Sequence, residues 1–303
     1  MCSLTLSAFG DICCAFHGRA PDRPARTSPQ SPLPRHLPLC FAVLLASTLA
    51  ALTLAAFLEA KRVDIVTHDL RPAGAPQALR LVQISDLHLS HFGPHEQTLA
   101  NKVRSLNADV VVLTGDAIDR ADALPLLQSF VQALKPAPVL LVPGNWEHWS
   151  GIDFGRLQST LAAQGAKLLL NERWILARGD RSLTLIGLDD FTAGQPDLQL
   201  LNASASNPDG LTVVVQHSPA FFDQAAVTQR MAGQDFGLCL AGHTHGGQIA
   251  LGNWAPFTPP GSGRFVAGFY DLPSCRLFVS RGAGTSVLPL RWGAKAEVLV
   301  FDL

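Results

Sequence analysis

The sequence predicts an α/β domain built on two packed sheets, set behind one N-terminal helix long enough to cross a membrane. Three observations carry this expectation. An uncharged apolar run covers residues 37–58, and crossing a bilayer takes roughly 20 such residues. Behind it, short apolar runs alternate with segments of helical period, the pattern of strands buried on both faces with helical crossovers. In the second half the strand signals crowd together, which predicts a second sheet packed on the first.

Taken in order, residues 1–36 are rich in Pro, Ser and Arg without a sustained period and read as a disordered leader. The run over 37–58 reads as a membrane anchor, because the apolar core of a cleaved signal is shorter, about 7–15 residues. Arg19, Arg23, Arg26 and Arg35 precede it and Lys61, Arg62 and Arg71 follow it, a balance that leans toward the domain lying outside. Residues 59–77 read as a linker and 78–303 as the folded domain. Within it, 78–84 reads as a strand ending at Ser85, and Leu99, Val103 and Leu106 share a helical face. Residues 110–113 form a β-branched run. Residues 124–134 read as a second helix, with Pro125 in its first turn. Strands follow at 139–142, 183–188 and 212–215. Residues 265–270 and 276–280 flank a turn at Pro273 like a hairpin, and 297–303 close the chain as a strand.

Composition excludes some classes. Of 303 residues, about 240 follow the anchor, enough for one large core. A net charge of −1 with no basic run gives no field for nucleic acid. Of six cysteines, Cys2, Cys13, Cys14 and Cys40 lie in or before the anchor. Cys239 and Cys275 read as ordinary buried thiols, with no disulfide framework.

The chemistry lies at the strand ends, where open α/β sheets gather ligands. Residues 81–84 run into Asp86 and His88, 110–113 into Gly115-Asp116, 139–142 into Gly144-Asn145, 213–215 into His217, and 238–240 into Gly242-His243-Thr244-His245. At period two, Asp86 and His88 would project to one side of an extended stretch. Singly, most of these are turn or cap residues. Two histidines between glycines are different, because little remains there to pack. Together they form an oxygen and nitrogen donor set that suits Mn, Fe or Zn and lacks the thiolates of a structural zinc site. A lone catalytic zinc needs three protein ligands, so this larger set implies two divalent ions sharing a carboxylate.

On Asp86-Leu87-His88, Gly115-Asp116, Gly144-Asn145, His217 and Gly242-His243-Thr244-His245, the chain resembles the calcineurin-like metallophosphoesterases from about residue 81 to 303. The Gly246-Gly247-Gln248 tail and Arg281-Gly282-Ala283-Gly284-Thr285-Ser286 resemble the membrane-associated bacterial branch, which implies a single-pass protein of the bacterial inner membrane. The resemblance implies a four-layer αββα sandwich of two mixed sheets flanked by helices. It implies that Asp86, His88, Asp116 and His245 hold one ion and Asp116, Asn145, His217 and His243 the other. It implies hydrolysis of phosphodiester or pyrophosphate bonds by a bridging hydroxide, with lipid-linked substrates such as UDP-2,3-diacylglucosamine the sharpest candidates. One departure matters. The family's His after Gly-Asn, which acts on the leaving group, is replaced by Trp146, followed by Glu147 and His148. His148 is therefore the candidate proton donor and Trp146 a candidate substrate contact. Arg264, Arg281 and Arg291 are candidates to grip phosphate bidentately. The competing reading is a metal-binding but inactive membrane scaffold.

Overall fold

The structure, a computed structural model, describes residues 37–71, 79–179, 181–206, 210–252 and 254–303. The leader over 1–36 lies outside them. The first described element is α1 (Leu37–Ala60), whose segment Leu39–Ala60 is long and apolar enough to cross a membrane. Its last turn is tied to the domain: Arg291 N donates to Ala56 O at 3.1 Å and Gly293 N to Glu59 Oε1 at 2.9 Å.

One sheet takes β1 (Val63–Asp69), β2 (Arg80–Ile84), β3 (Val110–Thr114), β4 (Val139–Val142), β5 (Lys167–Leu168) and β12 (Ala296–Asp302), in the order β1-β12-β2-β3-β4-β5. The other takes β6 (Glu172–Arg178), β7 (Arg181–Gly187), β8 (Gly210–Val215), β9 (Leu238–Ala241), β10 (Gly268–Leu272) and β11 (Cys275–Val279), in the order β10-β11-β9-β8-β7-β6. Both are mixed. β2 to β5 run parallel and β12 antiparallel to β2; β7, β8, β9 and β11 run parallel with an antiparallel strand at each edge.

The β period of two sorts the side chains into layers. Leu81, Val110, Val112, Leu140 and Val142 face Leu183, Leu185, Val213, Val215 and Leu240 in the core between the sheets. Their sequence neighbours Val82, Ile84, Val111, Leu113 and Leu141 face outward onto helices α2 (Pro94–Ser105), α3 (Leu124–Ala133) and α5 (Phe154–Ala163), through Leu99, Val103, Leu127, Phe130 and Leu157. On the far sheet, Ile186, Val214 and Leu277 meet Phe221, Phe222 and, from α6 (Ala225–Met231), Val227 and Met231. The result is the four-layer sandwich. Strands buried on both faces read as near-continuous apolar runs, and each fully buried Leu, Val or Phe contributes about 1.5–3 kcal/mol.

Two expectations are corrected. Residues 59–77, expected as a linker, contain β1, which pairs in parallel with β12. Its partners lie more than 200 residues away, so no local pattern announces it. Cys239 and Cys275, expected as separate thiols, form a disulfide between β9 and β11, with Cα atoms 5.9 Å apart. The two strands are neighbours and the cysteines stand diagonally, since Leu277 is the partner of Cys239.

Candidate metal centre

Five strands deliver the site. β2, β3 and β4 of one sheet and β8 and β9 of the other end in Ile84, Thr114, Val142, Val215 and Ala241, and the donors follow within four residues of each end. The sheets are stitched at this edge: His217 Nδ1 lies 2.7 Å from Thr114 O, and Gln83 Nε2 donates to Ala241 O at 3.0 Å.

Two donor groups result, Asp86 with His88 and His245, and Asp116 with His217 and His243, all buried. In the first, His88 Nε2 is 3.1 Å from His245 Nε2, and His245 Nε2 is 3.5 Å from Asp86 Oδ1. In the second, His217 Nε2 is 3.1 Å from Asp116 Oδ2 and 3.3 Å from His243 Nδ1, whose ring also meets Asn145 Oδ1 at 2.8 Å. The groups adjoin, because Asp116 Oδ2 is also 3.9 Å from His88 Nε2.

These residues fit a pair of divalent ions by the chemistry of their far sides. His88 Nδ1 meets Asp119 Oδ1, His217 Nδ1 meets the Thr114 carbonyl, and His243 Nε2 meets the Pro260 carbonyl at 2.7 Å. Each outer nitrogen thus carries a proton, so that with an ion bound each inner one would offer its lone pair, the tautomer a metal ligand needs. His245 differs, its Nδ1 standing 3.4 Å from Arg291 Nη2. Without cations the carboxylates lean on the histidines. Burial raises the Asp116 carboxyl, but the charge and hydrogen bond of His217 outweigh it and hold it at about 2. Burial lowers His217, yet Asp116 and Asp86 raise it well above the ordinary imidazole range.

The backbone bends to aim these groups. Asp86, His88, Asp116, His243 and His245 have φ between 46° and 71°, a left-handed conformation that costs non-glycine residues on the order of 1–2 kcal/mol each. Asp86 and His88 therefore converge by a turned backbone and not by the expected extended one. Glycine allows close approach at two points. A Cβ on Gly144 would stand 2.3 Å from Asp116 Oδ1, and one on Gly242 1.8 Å from Ser85 Oγ.

Glu147, unassigned by sequence reasoning, holds the shape. On α4 (Asn145–Trp149), its buried carboxylate accepts from Gly144 N and Asp116 N through Oε2, at 2.8 and 2.9 Å, and from Ala117 N and Ile118 N through Oε1, at 2.7 and 3.2 Å. Burial and the neighbouring Asp116 push it up, to about 7, against amide donors that favour its charge. The readable signal was a Glu at the third helical position after Gly144, half of a capping box. Asp119, which orients His88, was the other omission.

A cleft of about 430 Å³ opens beside His88 and Asp119, bordered by Trp146, Lys61, His91 and 287–289. Trp146 stands edge-on to His88, with ring centroids 5.9 Å apart. His148 does not border this cleft. Its Nε2 meets Asp189 Oδ1 at 2.7 Å, and its ring packs on Phe154. The three arginines are also committed elsewhere. Arg264 pairs with Asp223 and Arg281 with Glu297. Arg291 is fully buried, donates to the carbonyls of Arg281, Gly284 and Ala294, and is pushed down to about 10 by burial.

The model of the calcineurin-like phosphoesterase family matches residues 79–247. The metallophosphoesterase YkuE of Bacillus subtilis is 32% identical over 261 residues, covering 82% of this chain and 88% of that relative. The phosphodiesterase YaeI of Escherichia coli is 29% identical over 234 residues, 74% of this chain and 82% of its own. A transmembrane protein with metallophosphoesterase domain from Bos taurus is 29% identical over 257 residues, 78% of this chain and 55% of its own.

Proposed function

The chain belongs to the calcineurin-like phosphoesterase family and is a metallophosphoesterase, and from that premise we propose that it cleaves phosphodiester or pyrophosphate bonds, lipid-linked ones in particular, at a pair of divalent ions. The observation that carries this reading is Asp116 Oδ2, which faces both donor groups, 3.1 Å from His217 Nε2 and 3.9 Å from His88 Nε2. Asp86, His88 and His245 would hold one ion and Asn145, His217 and His243 the other, with Asp116 shared. Such a pair would supply a water of lowered pKa and neutralise charge on the phosphoryl oxygens. Mn, Fe and Zn all suit the donors.

The surrounding residues set the choice of bond. Trp146 borders the cleft where the family places a proton donor, and its indole N–H is a donor with no acidic proton to give. His148 is turned to Asp189. We therefore assign His148 to positioning and Trp146 to substrate contact, and expect a leaving group that departs as a stable anion. Lys61 borders the cleft, and we assign to it, in place of the three arginines, the role of cation beside a bound phosphate.

Anchorage in a membrane is supported by α1 and by the transmembrane relative, and the membrane we propose is the bacterial inner one. The Cys239–Cys275 disulfide supports a domain on the oxidising, outer face. The test is turnover of bis-p-nitrophenyl phosphate by the purified chain with added Mn. It should vanish on chelation and in Asp116→Asn; turnover that survives both sinks the reading.

A further inference from the structure

Two loops, one of them bordering the cleft, expose apolar side chains that no part of the described domain covers. Leu251, Trp254 and Phe257 are 65%, 60% and 70% exposed, and Val287, Leu288 and Trp292 are 90%, 55% and 37% exposed. Neither the stretch 248–260 nor the stretch 282–290 contains a charged residue. Soluble surfaces rarely group apolar residues so densely unless something covers them.

The loops form one platform. Ala250 N donates to Trp292 O at 2.7 Å and Trp292 N to Gln248 O at 2.9 Å. The Gln248 side chain reaches the carbonyls of Leu288 and Leu290, both at 3.1 Å, and accepts from Ser286 N at 2.7 Å. This platform is bonded to the end of α1, through Arg291 N to Ala56 O and Gly293 N to Glu59 Oε1. That end has a defined depth. The uncharged run over 37–58 rises about 33 Å as a helix and fills a hydrocarbon core of about 30 Å. Ala56 then lies at the boundary, and Glu59, Lys61 and Arg62 lie among the headgroups. A loop bonded to Ala56 shares that depth, where tryptophan is favoured because its ring is apolar and its N–H is wet.

We propose that Leu251, Trp254, Phe257, Val287, Leu288 and Trp292 form a rim that dips into the same bilayer α1 crosses, so that the cleft opens at headgroup level and receives a phosphoester carried on a lipid. The inference rests on the membrane and phosphoesterase readings above. The cleft wall agrees with it: Ala60 and Lys61 at the end of α1 and Val287, Leu288 and Pro289 of the rim line the same opening as His88. A lipid phosphate at that height meets the Lys61 ammonium on its way to the donor cluster.

Tryptophan fluorescence tests this directly, because α1 contains no tryptophan and all five lie in the domain. The full chain is reconstituted in phosphatidylcholine–phosphatidylglycerol vesicles with or without bromine on the acyl chains. Shallow bromines should quench wild type, and most of that quenching should disappear in Trp254→Phe with Trp292→Phe. Unquenched emission, or quenching unchanged in the double variant, overturns the rim. Emission that shifts with protein concentration in detergent, without bromine quenching, assigns the surface to a second copy and also overturns it. Turnover of water-soluble bis-p-nitrophenyl phosphate in the same vesicles reports separately on the phosphoesterase reading. Quenching without turnover keeps the rim and removes the catalysis; turnover without quenching does the reverse. In Leu251→Asp with Phe257→Asp, the ratio of vesicle-borne to soluble diester turnover should fall several-fold, and an unchanged ratio counts against the rim.

Discussion

The Glu147 carboxylate holds the backbone of Asp116, accepting its amide at 2.9 Å, while its two oxygens also take the amides of Gly144, Ala117 and Ile118. One side chain thus locks together the turns after β3 and β4. Gln in its place keeps the size but turns an N–H₂ toward amide donors. Each buried donor left unpaired costs about 1–3 kcal/mol. Glu147→Gln should therefore unfold at lower denaturant concentration and bind metal more weakly than wild type, measurable by urea titration and by metal titration. An unchanged midpoint would remove Glu147 from this role.

The His148–Asp189 pair predicts a pH signature. Asp189 raises the His148 pKa above its ordinary 6.5, although burial opposes it. Burial raises Asp189, but His148 and two amides outweigh it and depress it below 3.8. A raised histidine contributes stability that is complete below its unfolded pKa and is lost as pH rises through the folded one. A depressed carboxylate contributes above its unfolded pKa and loses it as pH falls. The gap in melting temperature between wild type and His148→Gln should be widest between those ordinary values and close as the medium turns alkaline. A gap that goes on widening as the medium turns alkaline contradicts the pairing.

Trp146 predicts leaving-group selectivity. A general acid is worth typically 10²–10⁴-fold, and the indole supplies none. Aryl diesters and pyrophosphates should be cleaved well and alkyl monoesters poorly. Trp146→His should narrow the difference by improving the alkyl substrates, as comparison of steady-state rates would reveal. Equal wild-type rates on both classes would count against the assignment.

The disulfide predicts a compartment. Alkylation of intact cells without reductant should leave Cys239 and Cys275 unmodified, and both should label after reduction, as peptide mass spectrometry can read. Labelling of both without reductant would place the domain on the reducing side of the membrane.

What the sequence disclosed and withheld follows from distance along the chain. The donors were legible because each sits directly after an apolar strand, a local pattern. The bend that aims them was not, since Asp86-x-His88 suggests an extended pair whereas both residues take positive φ. β1 was missed because its pairing with β12 joins Val63 to Ala296. The cysteines pair across strands 36 residues apart in sequence. Asp119 carried no local signal, because its role depends on the side of His88 it reaches. Arg291 looked available for phosphate because a sequence does not reveal that a guanidinium is fully buried.

The central claim is a two-ion site shared through Asp116, and the most direct measurement is the number of ions bound per folded chain, by elemental analysis of wild type and Asp116→Asn after loading with Mn and gel filtration. The account predicts two ions in wild type, with both sites weakened and turnover lost in the variant. A wild type that is active with a single ion, or an Asp116→Asn chain that keeps both ions and its turnover, would contradict it.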